Sequence, residues 1–128
     1  MAQPLFGVET EYAVSGLDHQ GQAVDRRIVL RKLMELARER HTHLLDGTGR
    51  GIFLASGARF YVDFPDHPEF CSPECTNPWD VVRYLRAGDR ILSDLAEELP
   101  EREPRLAEVV AVRSNVDYVA GTTWGSHS

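Results

Sequence analysis

RFYVDFPDHPEF, residues 59–70, is the stretch whose reading decides the fold. Successive side chains of a strand point to opposite faces. Phe60, Val62 and Phe64 then share one face, an apolar face suited to a core. Arg59, Tyr61 and Asp63 share the other, which carries a cation, a phenol and a carboxylate in a row. Pro65 and Pro68 are expected to stop the regular strand just beyond, because proline cannot donate to a sheet ladder. A carboxylate among Phe and Val must be hydrogen-bonded, ion-paired or metal-bound, or its protonation shifts. The plainest arrangement pairs Asp63 with Arg59 on an exposed sheet face.

Upstream, IFLA (52–55) reads as a second strand, joined to the first through Ser56-Gly57-Ala58 as a tight hairpin. DGTGRG (46–51) before it reads as a flexible turn. Further back, LFGVETEYAVS (5–15) reads as the first strand, with Glu9 and Glu11 on one face. GLDHQGQAVD (16–25) is loop. Val29, Leu30, Leu33, Met34 and Ala37 recur at helical spacing between Arg26 and about Arg40, with Asp25 as N-cap. Downstream, TNPWD (76–80) is a helix start: Asn77 caps, Pro78 suits the first turn and Asp80 complements the dipole. The apolar stripe from Val81 to Ala96 predicts a long helix ending near Leu99-Pro100, with Gly88 marking a close approach. LAEVVAVRSNV (106–116) reads as a last strand. The order is β-α-β-β-α-β. The fold class is α+β, a mainly antiparallel sheet with helices on one face.

The chain has 128 residues, which suits one domain, and 42% hydrophobic residues, enough for a core. No window is long and apolar enough for a membrane span, and the first residues carry no secretory pattern. Cys71 and Cys75 read as free thiols, which implies the cytoplasm. A net charge of −6 argues against a general nucleic-acid binder, which needs a basic footprint. Glu97, Glu98, Glu101, Glu103 and Glu108 read as a solvated acidic surface.

Glu9, Glu11, Tyr61, Asp63, Glu69 and Glu74 are hard oxygen donors. Should the first strand neighbour the 59–64 strand, Glu9 and Glu11 face Tyr61 and Asp63 across a ladder. Magnesium takes a few carboxylates, keeps waters and binds substrate phosphates. Arg59 on the same face suits a phosphate. A zinc site at His67, Cys71 and Cys75, joined by His41, His43 or His127, is the alternative, although its spacing is wider than usual. Trp124 and His127 lie in a small-residue loop. No nucleophile elbow is present.

GVETEY (7–12), SGARFYVDFPDHPEFCSPECT (56–76), RAGDRIL (86–92) and NVD…WGSH (115–127) occur in that order. This set resembles the N-terminal part of the Pup ligase and Pup deamidase (depupylase) family, whose members act on the prokaryotic ubiquitin-like protein modifier of the bacterial proteasome pathway. The resemblance implies a glutamine synthetase-like carboxylate–amine ligase fold with a curved sheet, ATP and magnesium as cofactors, and lysine-bearing protein targets as partners. It matches Glu9, Tyr61 and Glu69 to metal-site positions, Arg59 and Ser72 to nucleotide-binding positions, and Asp63 to the catalytic aspartate. In a ligase the modifier's C-terminal glutamate becomes an acyl phosphate, and Asp63 acts as base toward a lysine amine. In a deamidase Asp63 promotes attack on the amide.

SPECT and YVD lean toward the deamidase branch, but the long loop usual there before the GAR strand is absent, so the branch stays open. The family continues well beyond the GSH motif and usually has a glutamate where this chain has Ser128. Residues 1–128 are therefore expected to be the N-terminal portion of an incomplete catalytic domain, inactive by itself. Two other functions stay open: a ligase acting on free glutamate, and a non-catalytic relative that binds the modifier or a partner.

Overall fold

The computed structural model describes residues 5–63 and 67–113, with Asp63 as backbone only. The NVD…WGSH motif, Trp124, His127, Phe64 and Pro65 lie outside the described residues. Six strands and two helices follow one another as β1 (Glu9–Leu17), α1 (Arg26–Arg40), β2 (His43–Leu45), β3 (Gly51–Leu54), β4 (Arg59–Asp63), β5 (His67–Cys71), α2 (Pro78–Arg102) and β6 (Glu108–Arg113). The sheet runs β2-β3-β4-β5-β1-β6 and every described pairing is antiparallel. The α+β class and antiparallel sheet expected from the sequence are those observed, with two short strands added.

One added strand is β5, where the sequence predicted a stop at Pro68. The Val62 amide donates to Arg50 O at 3.1 Å, on the β3 side. Val62 and Pro68 are register partners. Val62 therefore turns its polar groups away from β5, and Pro68 turns its nitrogen away from β4. On that far side the β1 pairing reaches only Glu69, so the missing N–H costs no ladder bond. The other added strand, β2, has three residues, with Leu44 and Leu45 exposed, and gives no periodic signal.

Helix α1 is capped by Asp25, which accepts from the Arg27 amide, and α2 by Asn77, which accepts from Asp80. The second helix runs past Leu99-Pro100 to Arg102. Pro100 sits in its last turn, and Leu99, buried in the core, holds that turn in place and accepts from the Glu103 amide. Strand β1 begins at Glu9 rather than Leu5, and Phe6 instead forms an isolated bridge with Cys75. It ends at Leu17, two residues into the predicted loop.

The core lies between the sheet and the helices. Tyr12, Val14, Phe60, Phe70 and Ile52 from the sheet meet Val29, Leu33, Leu92, Leu95 and Leu99 from the helices. Each such aliphatic or aromatic side chain contributes about 1.5–3 kcal/mol on burial. Gly88 of α2 stands directly over the Phe70 ring, the close approach its position in the stripe predicted. Of the acidic residues read as solvated surface, Glu103 is buried and paired with Arg105 at 2.7 Å. Glu98 is half-buried and paired with Arg40 of α1. Among the described residues no helix is long and apolar enough to cross a membrane.

Candidate active site

The sheet face turned away from the helices is organised in rows by the register. One row runs Phe53–Arg59–Cys71–Glu9 and the next Gly51–Tyr61–Glu69–Glu11. Asp63 ends β4 opposite His67, in the following row. Glu9 and Glu11 therefore do not face Tyr61 and Asp63 directly, as expected if β1 neighboured β4. Strand β5 lies between, and places Glu69 and Cys71 where the two rows of donors meet.

Ligand atoms of Glu9, Glu69 and Cys71 all lie within 4.8 Å of one another. Glu69 is 1% exposed, while Glu9 is exposed. A carboxylate held so far from water needs compensating hydrogen bonds or positive charge. Two carboxylate ligands suit magnesium, which binds through one or two carboxylates and keeps waters for the rest. Tyr61 stands beside the group, in register with Glu69 across β4 and β5. Burial first, then the neighbouring Glu69 and Cys71, push the Tyr61 hydroxyl far above its usual range, so it stays neutral. The Cys71 thiol is pushed up to about 11, first by burial and then by Glu69 and Glu9, against the lowering effects of a Tyr61 hydrogen bond and Arg59.

The alternative zinc triad is not assembled. Cys75 is buried elsewhere, where its thiol donates to Pro73 O at 3.3 Å and its backbone bridges to Phe6. Among the described residues the Glu9–Glu69–Cys71 group is the one assembly of three potential metal ligands, and it contains neither His67 nor Cys75.

The plainest reading, an Asp63–Arg59 pair, turns on the Asp63 side chain, which lies outside what is described; the partner described for Arg59 is Asp46. The Arg59 Nε and Nη2 both donate to Oδ2 of Asp46, at 3.2 and 2.9 Å. Its guanidinium also lies 3.9 Å from the Tyr61 ring centroid. The Asp46 side chain is 1% exposed. Burial pushes its carboxyl up, but the Thr48 and Arg59 hydrogen bonds outweigh burial and hold it down at about 2. Asp46 lies in the segment that reads as a flexible turn. The local signal was there, since an aspartate side chain readily accepts from the backbone amide two residues on, an Asx turn. Asp46 Oδ1 accepts from the Thr48 amide at 2.9 Å and hydroxyl at 2.7 Å. The partner 13 positions on was not legible.

Ser72, matched by resemblance to a nucleotide position, accepts the Val8 amide on its Oγ at 3.0 Å, and its own amide donates to Val8 O at 2.9 Å. It thus fixes the segment leading into β1. The same residues line an open groove of about 370 Å³ that runs from Leu5 and Phe6 to Glu9, Cys71 and Glu74. The sheet brings Glu9, Arg59, Tyr61 and Glu69 into one patch, and Ser72 borders it. Asp63 is placed by its backbone one row away.

Comparison with known proteins gives a consistent result. The family model described as Pup-ligase protein matches residues 4–128. The Pup–protein ligase of Brachybacterium faecium is 33% identical over 131 residues, covering 99% of this chain and 26% of that protein. The Pup–protein ligase of Acidimicrobium ferrooxidans is 34% identical, with 99% and 27% covered. Among solved structures, the complex between the prokaryotic ubiquitin-like protein Pup and its ligase PafA matches with a TM-score of 0.78 at 26% identity. That match covers 97% of this chain and 24% of the other. The chain thus spans about a quarter of the length of the relatives it matches.

Proposed function

The chain belongs to the Pup-ligase protein family, and from that membership we propose that it forms the N-terminal part of the catalytic domain of an ATP- and magnesium-dependent Pup–protein ligase. The reaction joins the C-terminal glutamate of the modifier to a lysine amine of a target protein. The ligase branch is taken because the reported relatives carry that name. The observation that carries the reading is the convergence of Glu9, Tyr61, Glu69 and a clamped Arg59 on one sheet face.

Glu9 and Glu69 would hold the magnesium, with Tyr61 beside Glu69 completing the metal-site positions. Bound magnesium with ATP supplies charge neutralisation and an activated phosphoryl group. Arg59 offers its remaining N–H groups to nucleotide phosphates, because Asp46 occupies only the Nε and Nη2 side. Ser72 shapes the rim of the site by fixing the segment before Glu9. Asp63, two residues beyond Tyr61 on the same strand, takes the proton of the attacking lysine amine. A rigid central strand suits that role, since catalytic geometry tolerates displacements well under 1 Å.

The test uses the protein that carries this chain, with ATP, magnesium, a modifier ending in glutamate and a lysine-bearing acceptor. Mass spectrometry should find an isopeptide-linked conjugate with the wild type and none with Asp63→Asn, at equal melting temperature. Conjugation of free glutamate at the same rate would point instead to a small-molecule ligase. Modifier binding without ATP, undiminished by Asp63→Asn and with no conjugate, would leave a binding protein.

A further inference from the structure

We infer that Asp46 is a positioning residue that sets the orientation of Arg59 toward nucleotide phosphates. This rests on the reading above that Arg59 is a phosphate ligand.

A lone arginine on a sheet surface samples many rotamers, and ordering it on binding costs affinity. Here three constraints fix it beforehand. Oδ2 of Asp46 takes Nε–H and one Nη2–H, so a single oxygen holds one side of the fork. The Tyr61 ring lies against the guanidinium plane at 3.9 Å. The third constraint acts on Asp46 itself. Its other oxygen, Oδ1, is held by the Thr48 amide and hydroxyl, and the loop is strapped to β4 by Val62 N to Arg50 O. The Nη1–Nη2 edge of Arg59 is left for a bidentate anion.

Gly51 makes the arrangement sterically possible. A Cβ there would stand 2.8 Å from Asp46 Oδ2 and 2.3 Å from Tyr61 Cβ. The absence of a side chain at this register position is what lets the carboxylate reach across to Arg59.

The division of labour between the two oxygens gives a clean variant. Asp46→Asn keeps Oδ1 for Thr48 and replaces Oδ2 with an amide NH2, setting donor against donor at Arg59. The loop is preserved and only the clamp is lost. The measurement is magnesium–ATP affinity by isothermal titration on the protein carrying this chain, across wild type, Asp46→Asn, Arg59→Ala and the double variant. Arg59→Ala should weaken binding about tenfold or more, the worth of a charge-assisted hydrogen bond. Asp46→Asn should weaken it about three- to tenfold in the wild-type background and not at all in the Arg59→Ala background.

Additive effects of Asp46→Asn and Arg59→Ala would overturn the inference, since Asp46 would then act independently of Arg59. Normal affinity for Asp46→Asn beside a weakened Arg59→Ala would also overturn it, while leaving the phosphate role of Arg59 intact. Normal affinity for Arg59→Ala would remove the underlying reading itself.

Discussion

Gly88→Ala sets two known effects against each other, and the structure decides the sign. Gly88 lies inside α2, and replacing an interior glycine by alanine ordinarily stabilises a helix by about 1 kcal/mol. Here the new Cβ would meet Phe70 Cδ1 at 2.6 Å, Cγ at 2.7 Å and Cε1 at 3.1 Å. Comfortable carbon–carbon contact is about 3.5–4.0 Å, so the overlap is roughly 1 Å. Phe70 cannot swing aside: it is buried, in register with Phe60 on one side and Thr10 on the other. Relief therefore requires α2 to lift or β5 to move, and such overpacking costs about 1–3 kcal/mol. The net expectation is a destabilisation of about 1 kcal/mol, read as a melting temperature lower by roughly 3–5 °C. Differential scanning calorimetry with a urea titration measures it. A melting temperature raised by the substitution would refute the packing argument and leave helix propensity as the governing effect. Phe70→Leu combined with Gly88→Ala should be less than additive, because the smaller side chain removes the overlap. Phe70 lies between Glu69 and Cys71, so the same variant should also weaken magnesium–ATP binding.

Glu69→Gln should remove the buried anionic ligand while preserving shape. It is expected to abolish magnesium-dependent nucleotide binding with little loss of melting temperature; unchanged magnesium dependence would remove Glu69 from the metal site. Asp46, held at about 2 against an ordinary 3.8, contributes stability that is present above pH 3.8 and lost as pH falls toward 2. Asp46→Asn should flatten that part of the acid-unfolding curve, and an unchanged curve would mean that the Arg59 and Thr48 bonds do not persist in solution. The Cys71 thiol, pushed up to about 11, should react with iodoacetamide at pH 7.5 far more slowly than the same thiol in the urea-unfolded chain. Equally fast labelling would contradict its enclosure between Glu69 and Glu9.

The two faces of β4 were legible because alternation alone assigns them, and both helices because their caps and stripes agree. Strand β5 was hidden by Pro68. Sequence shows that a proline lacks an N–H, but not which way that position points or that the neighbouring ladder ends at Glu69. That one missed strand changed the site: the carboxylates of β1 meet Glu69 and Cys71, and Tyr61 stands one strand further off. Asp46 was hidden for a different reason. Its turn was readable, but an ion pair 13 residues apart depends on how the β3–β4 hairpin brings Gly51 beneath Tyr61, which no local pattern records. Arg59 and Tyr61 were legible because alternation puts them on one face of β4, and Glu9 because it shares a face of β1 with Glu11, whereas Glu69, on the strand that Pro68 hid, entered as an oxygen donor and through the family resemblance.

The central claim is that the helix-free sheet face binds magnesium–ATP. Amide chemical-shift mapping of the ¹⁵N-labelled protein, titrated with magnesium–ATP, tests it most directly. The account predicts shifts concentrated at Glu9, Arg59, Tyr61, Glu69 and Cys71, lost in Glu69→Gln. Shifts concentrated instead in the cleft of α2 and β6 around Tyr12, Asp89 and Arg113, or no shifts at saturating nucleotide, would contradict it.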